Sequence, residues 1–223
     1  QPTSPAIRTI DGSGLDEFDQ HGVDLKTMWG GDLPNWIQYT FDRGYKLHEL
    51  WVWNANSELE TTLGFGARDV TIEYSADGET WVRFENVPQF AQGTGKATYT
   101  ANTIVGLGEV MATHVKLTIN ANWGSTAMVG LGEVRFLYTP VQAFEPSPAD
   151  GATGVSVEAD LDWRPGRQAT SHAVYLDSDE AAVAGGAVAA HTVADHGYTP
   201  SSLDFATEYF WKVNETDDAG TYA

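Results

Sequence analysis

Apolar and polar residues alternate with a period of two in short runs along this chain, and no other feature constrains the fold as tightly. In Asp69–Ser75, Val70, Ile72 and Tyr74 fall on one side while Asp69, Thr71, Glu73 and Ser75 fall on the other. His114–Asn120 repeats the pattern, with Val115, Leu117 and Ile119 inward and His114, Lys116 and Thr118 outward. Glu133–Tyr138 does so again, grouping Val134, Phe136 and Tyr138. Successive side chains of a strand point to opposite faces, so each run can bury one face and wet the other. Ala76-Asp77-Gly78-Glu79 reads as a hairpin turn, because glycine tolerates the positive φ such turns need. Helical periodicity is nearly absent. Glu180-Ala-Ala-Val-Ala-Gly-Gly allows a turn or two before Gly185-Gly186 stops it. Several strands at short, regular spacing predict an all-β sandwich.

At 223 residues the chain is long for one such sandwich and suits two. The Pro- and Gly-rich segment Glu145-Pro-Ser-Pro-Ala-Asp-Gly-Ala-Thr-Gly154 marks entry into a second module, which sets the expected domains at 1–140 and 141–223. The second reads as strands at Leu161 and Trp163, at Val174–Leu176 and at Tyr209–Val213, and is expected to lack its last strand before Ala223. Eight Trp, nine Tyr and nine Phe are ample for packed cores. Charge is lopsided, with 31 acids against 12 bases and a net of −19. That field repels phosphates and anionic headgroups, which argues against nucleic acid and membrane surfaces as partners. No apolar run approaches the roughly 20 residues that span a bilayer. The chain has no cysteine, hence no disulfide staple and no thiolate metal site.

A catalytic constellation is missing from the pattern. The histidines His21, His48, His114, His172, His191 and His196 are scattered, and neither a His-Glu-x-x-His run nor a Gly-x-Ser-x-Gly elbow, P-loop or dinucleotide fingerprint occurs. Binding is therefore the expected role. Saccharides are held by stacking their C–H faces on aromatic rings while Asn, Asp, Arg or His fix the hydroxyls. Two loops have that mixture. In Asn120-Ala-Asn-Trp-Gly-Ser-Thr126, Trp123 sits beside Gly124, outside any core pattern; Asn54-Ala-Asn-Ser-Glu-Leu-Glu60 is followed by Phe65 and Arg68. Trp36, Trp51, Trp81, Trp163 and Trp211 lie in strand patterns and are expected to be core residues.

Thr9-Ile-Asp-Gly12, the strand from Trp36, Tyr74-Ser-Ala-Asp-Gly-Glu-Thr-Trp81 and Gly130-Leu-Gly-Glu-Val-Arg-Phe136 together resemble a bacterial discoidin domain. This is the coagulation-factor C-type, galactose-binding-like class that includes family 32 carbohydrate-binding modules, and the resemblance covers residues 1–140. Residues 141–223, with Leu203 six positions before Tyr209, resemble a fibronectin type III unit of the kind that follows such domains in extracellular proteins of planctomycete-type bacteria. The resemblance implies a discoidin-like jelly-roll β-sandwich followed by a smaller fibronectin- or immunoglobulin-like sandwich. It further implies a non-catalytic module for a polysaccharide or other glycan, joined to a spacer and to attached domains of a larger secreted or cell-surface protein. The alternative is an adhesion or structural module that contacts protein. Carried onto this sequence, the ligand-binding candidates are Trp123, Asn122, Asn54 and Arg68. A structural Ca2+ is implied at Asp11-Gly12, Thr27 and Glu133, and the long interval between Asp11 and Thr27 adds Asp16 as a further candidate.

Overall fold

Across residues 4–222, which the computed structural model describes, the alternating runs form antiparallel sheets joined by turns, irregular loops and a few short helical turns. None of these helices is long and apolar enough to cross a membrane. Contacts divide the chain into one unit ending at Tyr138 and a second beginning at Thr139.

The first unit contains β1 (Trp29–Asp32), β2 (Asn35–Asn54), α1 (Glu60–Leu63), β3 (Ala67–Ser75), β4 (Val82–Arg83), β5 (Thr103–Asn122) and β6 (Met128–Thr139). Its strands are ordered β1-β6-β2-β5-β3-β4. The two 20-residue strands β2 and β5 pair along their length, with register shifts between Thr40 and Tyr45 and between Leu47 and Glu49. Such bulges bend a strand and let it wrap a core. One apolar cluster fills the unit, drawing Ile37, Tyr39, Leu50 and Val52 from β2, Ile72 from β3, Leu117 from β5 and Leu131 from β6. The expected hairpin is present. Glu73 and Tyr74 face Arg83 and Val82, Gly78 has φ +79°, and Asp77 accepts from the Glu79 and Thr80 N–H groups at 2.8 and 2.7 Å. Those donors hold the Asp77 carboxyl well below the ordinary carboxylate range.

Two expectations about side-chain direction need correction. Trp36 is 61% exposed, because Ile37 and Tyr39 take the inward parity of β2 and put Trp36, Gln38 and Thr40 on the outer face. Tyr138, grouped above with Val134 and Phe136, emerges into solvent at the end of β6. Trp51 and Trp81 are half-buried; the buried tryptophans of this unit are Trp29 and Trp53.

The second unit holds β7 (Phe144–Ser147), β8 (Leu161–Arg164), β9 (Ser171–Asp177), α2 (Glu180–Gly185), β10 (His191–Val193), β11 (Gly197–Tyr198), β12 (Phe210–Asp217) and β13 (Gly220–Tyr222). They form a four-stranded sheet, β10-β9-β12-β13, and a three-stranded sheet, β11-β8-β7. Leu161, Trp163 and Val174 make the core, with Leu176, Trp211 and Val213 packed against it. A three-residue strand, β13, lies beside β12 where the sequence led us to expect none. The helical turn of α2 begins on Asp179, whose side chain accepts from the Ala182 N–H, and ends on Gly186 with φ +68°. Tyr209 Oη accepts from the Asp204 N–H at 3.1 Å and fastens the segment after Leu203 to the start of β12. A buried pair joins His172 Nδ1 to Glu215 Oε1 at 3.0 Å, and Glu215 Oε2 accepts from the Gly166 N–H at 2.7 Å.

Candidate functional site

The turn from β5 into β6 is built from the inside outward. Asn122 is buried, and its amide donates to the Thr126 and Met128 carbonyls at 2.9 and 2.7 Å, closing the turn on itself. Gly124 lies so close to the loop after α1 that a Cβ there would meet the Leu63 carbonyl oxygen at 1.8 Å. Its N–H donates to the Gly64 carbonyl at 2.9 Å, and the Trp123 N–H donates to that of Gly66 at 3.2 Å. The only large group this leaves outside is the Trp123 indole. Its Nε1–H donates to the Phe90 carbonyl at 2.9 Å, the Arg68 guanidinium lies 5.9 Å from its ring centroid, and the residue is 37% exposed.

Arg68 is itself fixed. Its Nε and Nη2 donate to Asp69 Oδ2 at 3.1 and 2.9 Å, and Gln89 Nε2 donates to Asp69 Oδ1 at 2.8 Å. The Phe90 N–H donates to the Arg68 carbonyl at 3.0 Å, which ties the Gln89 loop to β3. Hydrogen bonds from Arg68 and Gln89 lower the Asp69 pKa, so this carboxylate stays ionised and acts as an acceptor. The result is an indole face beside an ordered array of donors and acceptors, an arrangement suited to holding a polar ligand.

Of the four ligand candidates, the structure brings Trp123 and Arg68 together. Asn122 is the inner clamp of the turn described above. Asn54 is corrected to an interior role. It is fully buried, its amide donates to the Ala67 and Ala91 carbonyls at 2.6 and 2.8 Å, and its Oδ1 accepts from the Ala55 and Ala67 N–H groups. Every hydrogen-bonding position of that amide is spent within the protein. Asp69 and Gln89 went unnoticed in the sequence. Asp69 was legible as the neighbour of Arg68, whereas Gln89 lies 20 residues further on and carries no local signal.

At the calcium candidates, Glu133 is 3% exposed and its Oε2 accepts from the Gly12 N–H at 3.2 Å, with Gly12 at φ +67°. Burial pushes the Glu133 carboxyl up to about 7; the Gly12 N–H and the Arg135 charge oppose this, and the Asp11 charge adds to it. Asp11 and Glu133 thus meet around Gly12. The Asp11 carboxylate also accepts from the Ser13 N–H at 2.9 Å and from Arg8 at 3.1 Å. Asp16 Oδ1 accepts from the Phe18 and Gln20 N–H groups, and among the described residues no three-carboxylate group with Asp11 and Glu133 forms. The Thr27 hydroxyl donates to the Asp24 carbonyl at 2.7 Å. Among the described residues no group of three or more His, Cys, Asp or Glu side chains is placed to hold a metal. A hard cation there would draw on Asp11, Glu133 and backbone carbonyls; Asp16 does not fit.

No family model matches the chain, and no curated protein matches it. Solved structures similar to it include the CBM32-2 module of a family 31 glycoside hydrolase bound to GalNAc (17% identity, 60% of this chain and 87% of that one, TM-score 0.41). A pectin-binding carbohydrate-binding module is similar at 17% identity over 58% of this chain and 77% of that one, with a TM-score of 0.40. The F5/8 type C domain of a Bacteroides fragilis protein is similar at 16% identity over 56% and 82%, with a TM-score of 0.39.

Proposed function

We propose that the first unit is a non-catalytic glycan-binding module with the Trp123 indole as its platform. One observation carries this reading: an indole anchored at its N–H and flanked by Arg68 stays open beside the ordered Asp69–Gln89 pair. Pyranose C–H faces stack on such rings, and hydroxyls take up the donors and acceptors next to them. The resemblance of residues 1–140 to discoidin-type domains points the same way. The arrangement of three and four strands in the second unit supports a fibronectin-like spacer. The pair then belongs to a larger secreted or surface protein of a bacterium, where several linked weak sites give useful avidity.

A structural Ca2+ is part of this proposal. Asp11 and Glu133 would hold it, and the ion would neutralise a carboxylate that burial otherwise disfavours. A glycan array displaying short terminal saccharides tests the platform. Trp123→Ala is expected to stay folded and lose the array signal; a folded variant that binds like the native protein overturns the assignment.

A further inference from the structure

Trp36 violates the division of labour that the rest of β2 keeps. Ile37 and Tyr39 are buried, Gln38 and Thr40 are polar and exposed, yet the outward residue heading the row is an indole, 61% exposed. Among the described residues no ring or cation packs against it. Strand pairing shows what surrounds it. Trp36 faces Thr118 of β5, and Thr118 faces Thr71 of β3, so the first rung of the outer sheet face is indole, hydroxyl, hydroxyl. Asn120 Nδ2 reaches Thr71 Oγ1 at 3.1 Å and orients that hydroxyl. The next rung runs Gln38, Lys116, Glu73, Arg83.

A second indole overhangs that rung from the far side of the sheet. Lys116 Nζ lies 4.6 Å from the Trp81 ring centroid, and the His114 ring lies 6.2 Å from it. Trp36 and Trp81 therefore lie diagonally across three strands, and at strand spacings of about 4.8 Å the interval suits a few pyranose rings. Charge on this face is largely paired. Lys116 Nζ pairs with Glu73 Oε2 at 2.8 Å, Arg83 closes that rung at the β4 edge, and the remaining positions between the indoles are hydroxyls, an amide and the His114 ring. On a chain of net charge −19, this strip carries no acidic excess, since its one carboxylate, Glu73, is matched by Lys116.

We propose that the outer face of β2, β5 and β3 is a second binding surface, for an extended, uncharged polysaccharide chain, with Trp36 and Trp81 as its two platforms. The chemistry selects that occupant. Two separated rings set among hydroxyls and an amide match a ligand whose ring faces are apolar and whose edges are hydroxyl. A protein partner requires a contiguous apolar centre, which this face lacks. An anionic polymer finds Lys116 paired with Glu73 and a single exposed cation, Arg83, at the β4 edge, and meets the repulsion of the whole chain. Neither of its two platforms is part of the Trp123 site.

Affinity gel electrophoresis with galactan, glucomannan, xyloglucan and laminarin, and with alginate as the anionic control, tests the proposal. At least one neutral polymer is expected to retard the native chain, and Trp36→Ala is expected to weaken that retardation roughly tenfold while Trp36→Phe restores part of it. Thr118→Glu, which places a charge between the platforms, is expected to do the same at an unchanged melting temperature. Trp123→Ala is expected to keep the part of the retardation that depends on Trp36, so failure of one surface is distinguishable from failure of the other. Native mobility of Trp36→Ala and Thr118→Glu on every polymer that binds overturns the proposal. So does the absence of retardation by all four neutral polymers.

Discussion

The rim site depends on a glycine as much as on a tryptophan. Gly124 leaves no room for a Cβ against the Leu63 carbonyl, so Gly124→Ala must push the turn away from the loop after α1. That displacement is expected to cost about 1–3 kcal/mol in urea denaturation and to reduce glycan binding through the misplaced Trp123. Gly106→Ala, within β5, makes a control, since nothing lies within 4 Å of the added carbon. At this scale the sequence misleads in one direction. Asn54 and Asn122 share the composition of ligand-binding loops, but both side chains are spent inside the protein: Asn122 on its own turn, and Asn54 on Ala67 and Ala91, 13 and 37 residues away. Non-local satisfaction of this kind leaves no mark on the residues beside the asparagine.

At the scale of elements, side-chain parity decides what each strand offers. The run Trp36-Ile-Gln-Tyr-Thr-Phe contained the answer, because Ile37, Tyr39 and Phe41 already fix the inward face and leave Trp36 outside. Reading the indole as core gave residue type precedence over period. Substitution separates the two faces: Ile37→Ala is expected to lose roughly 2–5 kcal/mol, whereas Trp36→Ala loses under about 1 kcal/mol, both measured by urea titration. The Tyr209 tie in the second unit was readable from the spacing to Leu203. Tyr209→Phe keeps the ring but removes the acceptor for the Asp204 N–H, and is expected to cost about 1 kcal/mol. The three residues of β13 were beyond sequence reading, since their strand character comes from pairing with β12.

For the whole molecule, alternation and turn chemistry made the all-β class legible, while strand order was not, because it depends on partners far apart in the chain. The contact of Gly12 with Glu133 closes the first unit across 121 residues, and its energetics are those of the unit as a whole. Glu133 carries a carboxyl raised from 4.5 to about 7 by burial, so its contribution to stability is fully present below about 4.5 and lost as pH rises through 7. Without divalent cations, Glu133→Gln should therefore gain stability relative to the native protein across that window, by on the order of 2 kcal/mol at pH 8. Added Ca2+ should raise the native melting temperature at pH 8 and leave that of the variant nearly unchanged; equal shifts in both would remove the ion from Glu133.

Recognition by fixed loops on a rigid sheet scaffold is the claim on which the rest stands, and side-chain NMR reads it directly. Titrating 15N-labelled protein with a glycan selected on the array should move the Trp123 indole N–H and the Arg68 guanidinium signals, and leave the buried Trp53 and Trp163 indoles in place. Saturable binding that leaves Trp123 and Arg68 unmoved would contradict the account.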